Sequence, residues 1–313
     1  MVLPSTLSSK CRDAIAKAAA YIRGRQSPSG GFCFYRYGPI EEPSLGDTYY
    51  AVSSLKLFGI EVPSPRQVAR FVGESRIFGV TYLYFCAFTL DRLGLASRVG
   101  AEALQQIDAL SIRLPQEGRE TAWTRLIDRS GWLESARKTL RLQRRFGRFG
   151  PEQARGRTPA DDYCVSATRI AVEGRRYAHA AQFIREVLAR GEFGVRANLW
   201  DTYLALAVAA LLAIELTAET TSFVDSLQQP PFGFLMTAHS TMPNLDVVYA
   251  GVRCCRLLNL PIRHEREVSE FLLACQTTDG GFSHAPAALP NLEFTYRALQ
   301  TLALLAPELT HGE

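Results

Sequence analysis

The chain has 313 residues, of which 47% are hydrophobic, 21% charged and 10% aromatic, a composition that excludes disordered and fibrous classes. A net charge of +4 from 35 basic and 31 acidic side chains is too weak a bias to point to nucleic acid. Seven cysteines without a CxxC pair argue against a disulfide framework and for a reducing, cytoplasmic setting, and Met1 to Lys10 lacks the apolar stretch of a secretory leader.

In chain order, an amphipathic helix is expected from Ser8 to Arg23, with Gly24 as its stop. Gln26, Gly30, Gly31 and Phe32 form a turn, and Gly46-Asp47-Thr48-Tyr49-Tyr50-Ala51 then opens an apolar helix ending near Gly59. Ser64 as cap and Pro65 as first residue start an amphipathic helix reaching Ser75. Apolar helices start again near Thr81-Tyr82 and Thr121-Ala122-Trp123, each with an amphipathic follower, Ala101 to Leu110 and Leu133 to Arg145. Phe149-Gly150 leads to Asp161-Asp162-Tyr163-Cys164, Phe193-Gly194 to Asp201-Thr202-Tyr203, and Phe232-Gly233-Phe234 to Asp246-Val247-Val248-Tyr249. Tyr203 to Ile214 is the longest apolar run; it is well short of the ~18–20 residues of a membrane span and reads as a core helix. An amphipathic helix from Arg263 to Cys275 precedes a second full turn, Gln276 with Gly280-Gly281-Phe282. Leu292-Glu293-Phe294-Thr295-Tyr296 then opens the last apolar helix, to Leu305. Alternating runs are short and unpaired, so strands are not expected.

The apolar helix starts recur at steps of about 35 to 47 residues, the range of helical-pair repeats. Each acid or threonine at a start reads as an N-cap, with Asp47, Asp162, Asp201 and Asp246 in one register. Apolar inner helices ringed by amphipathic outer ones form a closed ring without polar capping repeats. The expected fold is all-α, one domain over residues 1–313. In the Gly-Gly-Phe turns, glycine supplies positive φ, phenylalanine pins the loop, and glutamine bonds free carbonyls.

The pattern Q-x-x-x-G-G-F followed by D-T-Y-x-A resembles the repeat of protein prenyltransferase β subunits and is similar to that of squalene and class II terpene cyclases. The resemblance covers roughly residues 10 to 305. It implies an α/α toroid of six to seven helical hairpins around an aromatic-lined cavity for an isoprenoid or similarly long apolar molecule.

The prenyltransferase branch implies a zinc site from an aspartate, a cysteine two residues later and a histidine on the next inner helix. Asp246 matches the aspartate, but Val248 replaces the cysteine and Phe294 or Thr295 stands at the histidine position; His239 and His284 lie in nearby loops. Zinc needs three protein ligands, so no metal is expected, and magnesium enters only if the substrate carries a diphosphate. The family's diphosphate-binding basic residues are absent from Thr237 to Met242.

The cyclase branch implies a D-x-D-D motif whose middle aspartate protonates the substrate. Pro159-Ala160-Asp161-Asp162 lacks its first aspartate. Two readings of Asp161 stand. It is the catalytic acid, tuned by Asp162 and held protonated by burial, or it is a solvated loop residue paired with Arg155 or Arg157.

Tyr49, Tyr50, Tyr82, Tyr84, Phe85, Trp123, Tyr163, Trp200, Tyr203, Tyr249, Phe294 and Tyr296 cluster at first turns of inner helices. Their faces would attract a cation or pack on an apolar ligand; the other reading is ordinary core aromatics. Arg155 and Arg157, in the loop before Asp161, are candidate diphosphate ligands. The basic run from Arg137 otherwise fits the exposed face of an outer helix, with a membrane surface or acidic partner as a further reading. The expected function is a class II-like terpene cyclase with Asp161 as acid. The alternatives are a diverged prenyltransferase-like enzyme without zinc and a non-catalytic prenyl- or lipid-binding module. A partner subunit is left open.

Overall fold

The structure, a computed structural model, describes residues 5–37, 40–110, 122–146, 181–191, 195–214 and 217–310. These fall into two compact units, one from Met1–Val99 with Val224–Glu313 and one from Gly100–Phe223.

In the first unit the outer helices are α1 (Ser5–Gly24) and α3 (Pro65–Glu74), and the inner helices are α2 (Leu45–Leu57) and α4 (Gly79–Arg92). The second unit contributes α5 (Ala101–Ala109), α6 (Ala122–Phe146) and α7 (Leu199–Leu211), while α8 (Ala218–Ser226) straddles the sequence boundary. The first unit resumes with inner α9 (Leu245–Leu257), outer α10 (Glu265–Ala274) and inner α11 (Leu292–Leu305). In the first unit α9 packs on α11, α11 on α2, and α2 on α4, while α1 packs on α10, α11 and α2. The first and last repeats are therefore neighbours. Contacts between the neighbouring helix starts, Tyr49 with Tyr296 and Tyr49 with Tyr84, make these inner helices run parallel.

Both Gly-Gly-Phe turns are built alike. Gln26 Nε2 donates to the carbonyls of Gly30 (3.2 Å) and Pro63 (2.9 Å), and Gln276 Nε2 to those of Gly280 (2.9 Å) and Ala14 (2.8 Å). Phe32 and Phe282 are fully buried. Their backbone N–H groups each donate over 3.0 Å to a threonine of the following inner helix, Thr48 and Thr295. Those hydroxyls donate in turn to the carbonyls of Ser44 and Asn291 at 2.6 Å. Gly30 and Gly280 have φ of 98° and 93°, and close approach adds a second demand. An added Cβ would lie 2.4 Å from the backbone carbonyl of Gln67 in α3 or Lys17 in α1, so each turn seats on the outer helix of the next repeat. Gln228, six residues before Phe234, keeps the same role through Pro261 O (3.1 Å) and Arg263 N (2.9 Å).

Three expectations change. First, the chain has short antiparallel hairpins: β1 (Phe32–Tyr37) with β2 (Ile40–Ser44), β3 (Gln228–Gln229) with β4 (Gly233–Phe234), and β5 (Phe282–Ser283) with β6 (Pro290–Asn291). Pairs this short leave no alternating pattern in the sequence. Second, residues 122–146 form one helix instead of an inner start followed by an outer helix, because nothing between Trp123 and Leu133 breaks it; Gly131 is free of close contacts. Third, the caps sit earlier than the acids. Ser44, Asn198, Asn244 and Asn291 cap α2, α7, α9 and α11, accepting from Asp47 N, Asp201 N, Val247 N and Phe294 N. Asp47 and Asp201 are third residues that return the bond: Ser44 Oγ donates to Asp47 (2.6 Å) and Asn198 Nδ2 to Asp201 (2.8 Å), closing a reciprocal cap. Asp246 is a second residue, aligned with Gly46, Trp200 and Glu293, and cannot close that box. What does align is tyrosine: Tyr49, Tyr203, Tyr249 and Tyr296 are each the fifth residue of their helix.

In the second unit α6 packs on α7 and on α5, where Gln143 Nε2 donates to the carbonyl of Leu110 (2.8 Å). Arg137 and Lys138 turn inward to Glu134, at 2.6 and 3.5 Å, while Arg144 and Arg145 are exposed. The six described cysteines are buried free thiols. Among the described residues no helix is long and apolar enough to cross a membrane.

Candidate functional site

The aligned tyrosines at the starts of α2, α4 and α11 meet in the first unit. Tyr49 is the hub. Its hydroxyl lies 3.2 Å from that of Tyr84 and 3.3 Å from that of Tyr296. Its ring stands 5.4 Å from Tyr84, 5.5 Å from Tyr50, 5.8 Å from Tyr296 and, stacked, 5.2 Å from Phe85. Most of these pairs are edge-to-face, the arrangement favoured by ring quadrupoles and worth ~0.5–1.5 kcal/mol each beyond burial. Gly46 makes room for Phe85, which an added Cβ would meet at 3.3 Å. Burial, then the neighbouring phenols, raise Tyr296 well above the ordinary phenol pKa, so the cluster is neutral.

A charged group adjoins it. Arg297, on the sixth residue of α11, donates to both Asp246 of α9 and Glu293 one turn earlier. Tyr50 donates to Glu293 Oε1 at 3.0 Å, and His284 Nε2 lies 3.6 Å from the second oxygen of Asp246. Burial works against the charge of Arg297, but Glu293 and Asp246 outweigh it and raise its pKa above the ordinary arginine value. Burial, then the charge of Glu293, push the Tyr50 phenol far up.

The residues singled out from sequence divide as follows. Tyr49, Tyr50 and Tyr296 come together. Tyr249 is buried in α9 and donates to Gln300 of α11 at 3.3 Å. Phe294 is partly exposed and lies against His284, 5.2 Å between ring centroids. Tyr82 is exposed and pairs edge-on with Phe78. Trp200 and Tyr203 pair with each other in the second unit, 5.8 Å apart, with Tyr203 fully buried. Trp123 is the second residue of α6, and its side chain is outside what the structure describes. Asp161, Asp162, Tyr163, Arg155 and Arg157 lie outside the described residues. Glu293 and Arg297 were not expected in the site. The signal was there in part: Arg297 holds a repeat position that is uncharged elsewhere, Tyr50, Leu204 and Ala250, whereas Glu293 shares its position with Asp246.

Zinc does not fit this site. Asp246 is engaged by Arg297 and His284, and Val248 is a buried residue with no donor atom. Among the described residues no three His, Cys, Asp or Glu side chains converge as metal ligands. The large apolar side chains exposed in the first unit, Phe34, Phe78, Tyr82, Met242 and Leu289, all precede or begin inner helices.

A comparison with curated proteins finds no match. A family model, the prenyltransferase alpha-alpha toroid domain, matches residues 2–78 and 78–312. That family includes enzymes acting on isoprenoids. The chain thus belongs to the prenyltransferase α/α toroid domain family.

Proposed function

We propose that the chain is an isoprenoid-processing enzyme that works without zinc, a class II-like cyclase in which Asp161 protonates the substrate and Asp162 tunes that acid. The observation that carries this reading is the convergence of Tyr49, Tyr50, Tyr84, Phe85 and Tyr296 beside a site whose aspartate is held by Arg297. Partly exposed Tyr50, Phe85 and Tyr296 offer π faces to a cationic intermediate, each worth ~0.5–2 kcal/mol, while buried Tyr49 and Tyr84 hold them in place. Phe294, Tyr82 and Tyr249 are the other candidate aromatics of the first unit. Arg155 and Arg157 would hold a diphosphate if the substrate carries one.

Protonation of an alkene adds a proton to one carbon and leaves a cation on its neighbour. Attack by successive double bonds closes rings, and loss of a proton ends the sequence, so substrate and product have equal mass. Exposed Phe78, Met242 and Leu289 stand at the tyrosine end of the inner helices and support contact with a membrane surface from which an apolar substrate is drawn. A partner that is a long apolar molecule, and no nucleic acid, follows from the same reading.

Asp161→Asn tests the acid. Loss of cyclisation of an offered prenyl substrate by ~100-fold or more is expected for a general acid; turnover that survives the change removes Asp161 from that role. The zinc-free prenyltransferase reading would yield a product of increased mass. The binding-module reading would return the ligand unchanged.

A further inference from the structure

A cascade started by an acid needs a base to end it, and the described residues contain a pair suited to that step. We propose that Tyr50 and Glu293 together form the terminating base, an assignment that rests on the cyclase reading above.

Tyr50 sits among the faces that would surround the cation. Its ring centroid is 5.5 Å from Tyr49, 5.6 Å from Phe85 and 5.4 Å from Tyr296. Its hydroxyl donates to a carboxylate, Glu293 Oε1 at 3.0 Å. Those of Tyr49, Tyr84 and Tyr296 bond to one another, and that of Tyr249 to an amide. The carboxylate side chain is 37% exposed, so the pair leads from the aromatic interior to an exposed oxygen. Arg297 donates to the same oxygen and so fixes the carboxylate against the phenol. Asp246 is instead engaged by Arg297 and His284.

The step balances. A C–H bond next to the cationic carbon breaks, and its electron pair becomes the new C=C bond. The proton passes to the phenol oxygen of Tyr50 as the phenol's own proton moves along the existing hydrogen bond to Glu293. The carboxylate becomes a carboxylic acid and returns its proton to solvent. One proton enters at Asp161 and one leaves here, with no oxidant or reductant. The raised pKa of Tyr50 fits the order of events, since the phenol gives up its proton only when it receives one.

The test compares the products of wild type, Tyr50→Phe and Glu293→Gln on one linear polyprene, by mass spectrometry. Tyr50→Phe removes one hydroxyl and is the variant least able to disturb the Arg297 pair. Both variants are expected to slow turnover and to lower the share of the wild-type alkene about tenfold or more, in favour of water-captured alcohol or shifted alkenes. An unchanged alkene profile in both variants, or a wild-type product that is already the alcohol, overturns the base assignment while leaving the cyclase reading intact. A wild type that forms no ring overturns both.

Discussion

The starts of α2 and α11 occupy equivalent places in the first and last repeats, and they differ in an instructive way. Their backbone machinery is the same. A polar cap (Ser44, Asn291) accepts from the third N–H, a threonine (Thr48, Thr295) bridges cap and turn, and a tyrosine (Tyr49, Tyr296) follows. The second, third and sixth residues diverge, Gly46, Asp47 and Tyr50 in one helix, Glu293, Phe294 and Arg297 in the other, so only α2 has a side chain that returns the cap bond. The constant positions satisfy helix-end N–H groups and buried turns, which any inner helix must do. Two of the divergent residues, Tyr50 and Glu293, meet across the α2–α11 contact. The repeat thus separates cap and turn residues from the divergent pair proposed above for the site.

Variants at the cap and turn positions should change stability and leave product identity alone. Phe282→Ala, in a fully buried site, should cost about 3–5 kcal/mol in denaturant titration. Gly280→Ala combines a positive φ with a Cβ 2.4 Å from Lys17 O, and about 1–3 kcal/mol is expected from the same titration. Either variant giving a new product without loss of stability would break the separation. Arg297→Met leaves Asp246 and Glu293 without their guanidinium. It should lower thermal stability by about 1–3 kcal/mol and, unlike the turn variants, alter products as well. Asn291→Ala removes a single cap bond and should cost about 1 kcal/mol.

The smallest effect serves as a control in the other unit. Burial would raise the Glu134 carboxyl, but Arg137 and Lys138 outweigh it and leave its pKa below the usual carboxylate value. A lowered folded pKa stabilises above the unfolded pKa of about 4.3, and that stability is lost as pH falls through the folded value. Glu134→Gln should therefore be less stable than wild type near pH 7, with the gap closing toward strongly acidic pH and product identity unchanged. A gap that widens in acid would reverse the sign assigned here.

Much of this was legible in the sequence. The glutamine and glycines of both turns and Pro65 at the start of α3 follow from local chemistry that a short window contains, whereas the helix expected from Leu133 starts at Ala122. The cap register was not, because Asn244 and Asp246 are both good cap residues and only backbone angles choose between them. The Tyr50–Glu293 bond joins residues 243 apart, and it exists because the first and last repeats pack together. Periodicity announces such a closure but does not say which side chains meet across it.

The central claim is that cyclisation proceeds without zinc. Its most direct test is the product formed when zinc-stripped protein, in magnesium-containing buffer, is given a linear prenyl substrate. The account predicts a ring-containing isomer of unchanged mass, formed at the same rate after zinc is restored. A product that appears only with zinc, or one whose mass has increased by transfer to an acceptor, would contradict it.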